Sequence, residues 1–577
     1  MIMDSYKLKK IINNNWFWLA TILIFTFILY FPTFQFEILN YDDDRLIVNN
    51  ELIQEISFRN LKLSFADYYD NIYQPFVLMS WAFDYAIDGL NPRVFHIHNL
   101  VIHLINICLV FFFIQLLFSD KRISIITSFL FAVHSMHIES VAWISERKDL
   151  LYAMYFLLSL IMYIKYVKSS QIRFYVFSLV LFLFSLFSKG LAVALAPTIV
   201  AIDFFLKRKI FSKKVIIEKI PFLIFAIFFS IVGSFGFNNL SKAADFSLFG
   251  KLLSTGYVFF HYFIKMFIPY GLSAYHPYPS EIESSYPSIF YLLSFLSILI
   301  IITLIILSKK SRRLAFGAIF FGINIFIALR ISQITSVGFI MADRYAYVSS
   351  IGIFILISVF FIFLIKKIPN LKIPVFSLLI AFMIINIWIS SQHIFVWENS
   401  ISIWDSIIEK YPDRSWPYSK RGLAKADYGD YEGAIYDFSS AVIIKPDFYK
   451  IYYNRAETYR KLKMWDLAIH DYSKIIYDNS DCAKAYAFRG IAYEKSDMYK
   501  KALNDFNKAI KIEPESSMLY LQRAMLKTKK GYYNSAIQDY NIALAIQPDL
   551  KIAKNQKYMV LEIIKRNYLR TNTLVQN

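Results

Sequence analysis

The sequence predicts an all-α protein in two parts, a polytopic membrane bundle of about eleven spans followed by an α-solenoid. Three observations carry this. Of 577 residues, 57% are hydrophobic and 18% charged, where an ordinary soluble domain carries about 25% charged residues. The apolar residues before 398 gather into runs long enough to cross a bilayer. After residue 414 a 34-residue unit occurs four times. With 56 Phe and 41 Tyr to bury, a disordered chain is excluded. Two cysteines, Cys108 and Cys482, exclude a disulfide framework and a cysteine zinc site. The net charge of +19 raises nucleic acid as a partner until the positions of the charges are examined.

Counting roughly 20 apolar residues per span, the expected spans lie near 16–34, 95–118, 123–142, 150–166, 174–188, 190–206, 217–237, 286–308, 314–331, 347–365 and 373–391. Basic residues collect at alternate connections: Lys7, Lys9 and Lys10; Lys121 and Arg122; Lys165, Lys168 and Arg173; the run from Lys207 to Lys219; Lys309 to Arg313; Lys366, Lys367 and Lys372. The positive-inside rule makes that face cytoplasmic. The surplus charge is thus a topology code, and nucleic acid is not an expected partner. Residues 251–272 (KLLSTGYVFFHYFIKMFIPYGL) break the alternation, because a crossing there would move Lys309–Arg313 outside. Tyr257, His261 and Lys265, spaced by four, give this stretch a polar face, so it is expected as a re-entrant or interfacial helix on the outer side. The N-terminus is then cytoplasmic and residues 392–577 extracytoplasmic. The first span has a basic lead-in but lacks a small-residue cleavage site, and is expected as an uncleaved anchor.

In the second part Ala434, Ala468, Ala502 and Ala536 recur, as do Arg421, Arg455, Arg489 and Arg523, and Asp437, Asp471, Asp505 and Asp539, each Asp followed by Phe or Tyr. Gly422, Ala456, Gly490 and Ala524 supply the small residue for a close helix contact. This is the tetratricopeptide pattern, two antiparallel helices per repeat, over 415–448, 449–482, 483–516 and 517–550. The expected organisation is a membrane domain over 1–397 with an outer loop 35–94, a linker over 398–414, the four repeats, and a capping helix and tail over 551–577. The recurring Arg and Asp are read as an ion pair inside each repeat, and the concave face as a protein-binding surface.

Ionisable residues near a bilayer are costly and default to functional hypotheses. Four clusters fall on the expected outer face: Tyr41-Asp42-Asp43-Asp44-Arg45; His134 to Asp149 (HSMHIESVAWISERKD); the helix with His261 and Lys265, followed by LSAYHPYP; and Asp343-Arg344-Tyr345. Adjacent carboxylates raise one another's pKa and suit a general base, while Arg and Lys suit a phosphate. Each has a plainer reading: a solvated loop or helix cap for the Asp run, and a local ion-pair cluster for Glu146-Arg147-Lys148-Asp149. His134, His137 and Glu139 are read as hydrogen-bonding residues, so no metal site is assigned and a divalent cation is not favoured; no other cofactor is implied. His96, Asn99, His103 and Asn106 share one helical face and are expected to join helices. A nucleotide sugar is absent outside the membrane, which favours a lipid-linked donor.

On these segments the chain resembles the transmembrane-and-tetratricopeptide O-mannosyltransferases (TMTC proteins), in their bacterial form, a branch of the GT-C glycosyltransferase superfamily. The matching segments are YDDDRLIVNN, VFHIHNLVIHLIN, HSMHIESVAWISERKDLLYAMYFL, SKGLAVALAPTIVAIDFF, HYFIKMFIPYGLSAYHPYP and DRYAYVSSIG, before the repeats. Two positions depart from the pattern: Ser135 replaces a usual Pro, and His98 a usual Thr or small residue. The resemblance implies transfer of a sugar, usually mannose, from a polyprenyl-phosphate donor to a protein hydroxyl on the outer side. It places catalysis on Asp42 or Asp43 with Asp44 beside them, support on His137, Glu139, Arg147 and Lys148, and the carrier phosphate on His261, Lys265 and Arg344. The repeats would hold the acceptor protein. Two other readings stand beside it: an outer-face glycan polymerase or ligase using lipid-diphosphate donors, and a non-catalytic membrane scaffold whose working part is the solenoid.

Overall fold

A computed structural model describes residues 15–237, 247–278, 286–332 and 339–575; the basic lead-in Lys7, Lys9 and Lys10 lies outside them. The chain forms two compact units, Met1–Ile407 and Ile408–Asn577.

In the first unit the helices are α1 (Asn15–Tyr30), α2 (Phe58–Ala66), α3 (Pro75–Asp88), α4 (Pro92–Phe118), α5 (Lys121–Val133), α6 (Ile138–Ala142), α7 (Arg147–Ser169), α8 (Ile172–Ser188), α9 (Leu195–Phe205), α10 (Lys213–Phe237), α11 (Leu248–Lys265), α12 (Ser288–Lys310), α13 (Arg312–Ser332), α14 (Ser350–Lys367), α15 (Lys372–His393) and α16 (Ser400–Lys410). All eleven expected spans fall on apolar helices. Among the described residues, eight helical stretches are long and apolar enough to cross a membrane, and α11 is not one of them. The third expected span is the pair α5 and α6, bent by 55°. The bend sits at His134, whose backbone is extended and whose ring accepts from the Met136 amide; it forms with Ser135, not proline, at the turn.

The fifth and sixth expected spans are shorter helices, Ile172–Ser188 and Gly190–Phe205. They are parted by Lys189, whose extended backbone carries its ammonium to Asp149 at 2.5 Å and Glu146 at 3.3 Å. A cation taken out of water at that point needs these carboxylates, because an unpaired buried charge is strongly destabilising. The expected linker 398–414 contains α16, which buries Ile403, Trp404 and Ile407, and the Trp404 indole donates to Asn40 at 2.6 Å. Bulky apolar residues at helical spacing make residues 400–407 part of the first unit.

Local chemistry sets the helix ends. Pro92 opens α4 behind Asn91, which accepts from the Arg93 amide at 3.1 Å, as favoured at a helix N-terminus. Asp120 caps α5 through the Arg122 amide and meets Arg313 at 3.4 Å. Contacts among basic connections therefore gather at one end of the bundle. At the other end a two-stranded antiparallel ribbon, β1 (His276–Pro277) with β2 (Phe339–Met341), joins the segment after α11 to the segment before α14.

The second unit stacks helical pairs: α17 (Ser415–Asp427) with α18 (Tyr431–Ile444), α19 (Tyr449–Lys461) with α20 (Trp465–Asp478), α21 (Ala483–Lys495) with α22 (Tyr499–Ile512), and α23 (Ser517–Lys529) with α24 (Tyr533–Ile546), followed by α25 (Lys551–Val575). Arg421, Arg455, Arg489 and Arg523 each fork onto the Asp sixteen residues on, with Nη or Nε to oxygen distances of 2.6–2.9 Å. Arg455, Arg489 and Arg523 also reach back to Ser439, Ser473 and Asn507 of the preceding repeat. The same side chain thus closes its own repeat and ties it to its neighbour.

Candidate active site at one end of the membrane bundle

The acidic loop after α1 is shaped by a π-helical turn, Asp44–Val48, a rare geometry that widens the backbone. It sends adjacent carboxylates to opposite environments. Asp43 is fully buried. Its Oδ1 accepts from the Trp143 indole at 2.9 Å, from the Ser145 amide at 3.2 Å and from the Ser145 hydroxyl, and its Oδ2 accepts from the Leu39 amide at 3.1 Å. Burial pushes this carboxyl up to about 7 against the pull of those donors. Asp42 keeps 31% of its side chain exposed and pairs with Arg45, which is 55% exposed and also meets Asp70 at 3.1 Å. Asp44 accepts from the Arg45 amide at 2.9 Å.

The other three clusters meet this loop. Arg344 binds Glu139 at 2.5 Å through Nη1 and at 2.9 Å through its amide, and Glu146 at 3.0 Å through Nε. Its guanidinium lies 5.4 Å over the Trp143 ring, a cation–π contact. Glu146 also meets Lys148 at 3.0 Å. Lys265 is buried against Asp343 at 2.7 Å, which also meets His276 at 3.3 Å and accepts from the Ser273 amide at 3.1 Å. Burial opposes the charge on Asp343, but Lys265 and His276 outweigh it and hold the carboxyl well below the usual carboxylate range. Tyr41 donates to the Ala274 carbonyl at 3.0 Å and sits in the field of Arg344, Asp42 and Glu139.

Of the residues singled out in sequence, Asp43, Glu139, Lys148 and Arg344 come together around Trp143, with Asp42 and Asp44 next to Asp43 in the loop and Lys265 on the adjoining Asp343 pair. Three stand apart. His137 lies in the helix packing, with Nδ1 2.7 Å from the Phe131 carbonyl and Nε2 3.0 Å from Ser350. Arg147 turns to Asp84 at 2.5 Å, Asn99 at 2.7 Å and the Phe95 carbonyl at 2.8 Å; Asp84 in turn pairs with His98. His261 bonds back to the Tyr257 carbonyl of its own helix at 2.9 Å. Among the described residues no three His, Cys, Asp or Glu side chains are grouped to hold a metal.

Trp143, Lys189 and Asp70 had no role assigned from sequence, and Arg45 was named only as the end of the acidic run. Lys189 was marked by being the single cation in the apolar stretch 174–206. Trp143 carried no signal, because an aromatic beside apolar residues reads as core.

Fold and site together define a multi-pass membrane protein that carries a tetratricopeptide array. The description tetratricopeptide repeat matches residues 483–516 and again 519–550. The chain is similar to Protein O-mannosyl-transferase TMTC2 of Homo sapiens, 32% identical over 136 residues, which are 22% of this chain and 16% of that protein. It is 34% identical to Protein O-mannosyl-transferase TMTC3 of Mus musculus over 93 residues, 16% of this chain and 10% of that one. Protein O-mannosyl-transferase F38B6.6 of Caenorhabditis elegans is 24% identical over 432 residues, 71% of this chain and 60% of that protein. The match thus spans about a sixth of the human relative's length. Among solved structures, MamA 41-end from Desulfovibrio magneticus RS-1 aligns with 26% of this chain and 85% of its own, at 19% identity and a TM-score of 0.25.

Proposed function

We propose that this chain is a membrane glycosyltransferase that moves a hexose, mannose by the names of its relatives, from a polyprenyl-phosphate donor to a protein hydroxyl on the extracytoplasmic side. The observation that carries the reading is the division of labour between neighbouring carboxylates. Asp43 is spent on four donors and anchors the loop to Trp143 and Ser145. Asp42, partly open to solvent, is left as the group an acceptor can reach. The acceptor Ser or Thr oxygen attacks the anomeric carbon while its proton passes to Asp42. The bond from that carbon to the phosphate oxygen breaks, its electron pair leaves with the polyprenyl phosphate, and the configuration inverts. Arg344 and Lys265, each held by buried carboxylates, act as positioning residues. The repeats present the acceptor protein.

General-base loss costs about 10²–10⁴-fold. Asp42→Asn is therefore expected to abolish glycan transfer, read by mass analysis of envelope and secreted glycoproteins in a deletion strain carrying the variant. Glycosylation equal to that of the wild-type chain would sink the assignment.

A further inference from the structure

The cations at the basic end of the membrane bundle are not equally spent. Arg313 meets Asp120 at 3.4 Å, Arg208 meets Glu218 at 2.8 Å, Lys219 meets Asp203 at 2.6 Å, and Lys168 donates to the Leu116 carbonyl at 2.6 Å. Lys309, Lys310 and Arg312 are exposed and, among the described residues, meet no carboxylate. The helix dipole accounts for two of them, since Lys309 and Lys310 fall in the last turn of α12, where a cation is favoured. It opposes the third. Arg312 opens α13, where the aligned amides already carry positive charge and the first turn holds no acid.

Helix α12 is held along one half only. Of its 23 residues just Phe290 and Ser297 are buried, both in the half away from Lys309. There Ser294 and Ser297 donate to the Leu253 and Gly256 carbonyls of α11 at 2.8 and 2.7 Å, and Phe290 stacks on Tyr257 at 4.1 Å. Past Ser297 the hydroxyls of Thr303 and Ser308 turn back to their own helix, at Leu299 and Leu304. The other half borders a groove of about 570 Å³ against α9 and α13, walled by Phe204, Ile305, Ala315 and Ile319, with Lys309, Lys310 and Arg312 at one end.

Arg312, Ala315 and Ile319 share a face of α13, as Ile305 and Lys309 share a face of α12. Ile319 lies roughly 10 Å along the axis from Arg312. The groove is therefore cationic at its mouth and apolar beyond. A soluble anion would satisfy the cations and leave the apolar wall uncovered. A zwitterionic lipid would cover the wall but bring its own cation to three others. An anionic phospholipid meets both demands, as such headgroups do in basic pockets between spanning helices.

We propose that the groove where α9, α12 and α13 meet binds an anionic diacyl phospholipid of the surrounding bilayer, its phosphodiester held by Lys309, Lys310 and Arg312 and an acyl chain lying between Ile305 and Ile319. The lipid supplies the packing that this half of α12 lacks. The site lies at the opposite end of the bundle from the acidic loop and does not depend on the transfer reading.

The test uses the full chain in detergent micelles, with phosphatidylglycerol, phosphatidylcholine and inorganic phosphate as separate probes, and reads retained lipid by native mass spectrometry. Expected is a tightly held phosphatidylglycerol, with phosphatidylcholine held far more weakly and inorganic phosphate unable to displace it. Combining Lys309→Gln, Lys310→Gln and Arg312→Gln lowers retention about a hundred-fold. Combining Lys366→Gln and Lys367→Gln, which removes two exposed cations at the end of α14, leaves it unchanged. A phosphatidylglycerol with a diazirine in its acyl chain gives adducts at Phe204 or within 305–319, and Ile319→Trp, which fills the groove, removes them. Should a variant misfold, the adduct positions on the wild-type chain decide. Equal loss in the two charge variants, equal retention of phosphatidylcholine, or adducts elsewhere overturns the proposal. Displacement by inorganic phosphate overturns it in favour of a soluble anion.

Discussion

At the scale of the residue, neighbouring aspartates show how environment overrides residue type. Asp42 and Asp43 are interchangeable in sequence, yet one faces solvent and Arg45 while the other is sealed among Trp143, Ser145 and Leu39. The Asp43 carboxyl rises from an ordinary 3.8 to about 7, so over that window the folded chain holds a proton that the unfolded chain has released. Stability therefore falls as pH rises across it, and levels off above. Thermal melts of the wild-type chain at pH 5 and pH 8 are expected to show this loss, and Asp43→Asn to lack it. Equal pH dependence in the two proteins would refute the burial argument. The acid run was legible in sequence as a candidate site; which member is accessible was not, because that depends on Trp143, a hundred residues away.

At the scale of the element, the repeat pattern was legible, because each repeat buries its Ala, Asp and aromatic at the same positions and the Arg–Asp pairs recur with them. What the period did not reveal is unevenness at the turns. Gly429 and Gly531 take left-handed backbone between the paired helices of the first and fourth repeats; Lys463 and Asp497 take it in the second and third. A side chain there costs about 1 kcal/mol, less what glycine loses in chain entropy. Lys463→Gly is expected to raise stability by about 0.5 kcal/mol, measured as a higher unfolding midpoint in denaturant. In the membrane unit, the break at Lys189 was legible as a lone cation between two apolar runs, but its partners Asp149 and Glu146, some forty residues away, were not.

At the scale of the whole molecule, the alternation of basic and acidic connections predicts sidedness. The contact of Arg313 with Asp120 at one end, and of Asp43, Glu139, Lys265 and Arg344 with their partners at the other, keeps the two charge sets apart. A reporter fused after residue 577 is expected to be active outside the cytoplasm, and one inserted after Lys209 inside it. A cytoplasmic signal from the first would overturn the orientation and, with it, acceptor presentation by the repeats.

The sequence by itself determined the two-part all-α plan, the eleven apolar segments and the repeat register. Each of these follows from local periodicity in burial, which survives in one dimension. Tertiary structure alone decided which charges are spent on one another and which remain reachable. A buried carboxylate must find its donors wherever the chain brings them, so Asp43 closes on Trp143, Lys265 on Asp343 and Arg344 on Glu139. What those pairings leave on the surface, Asp42 and Arg45, appears only once the helices have packed.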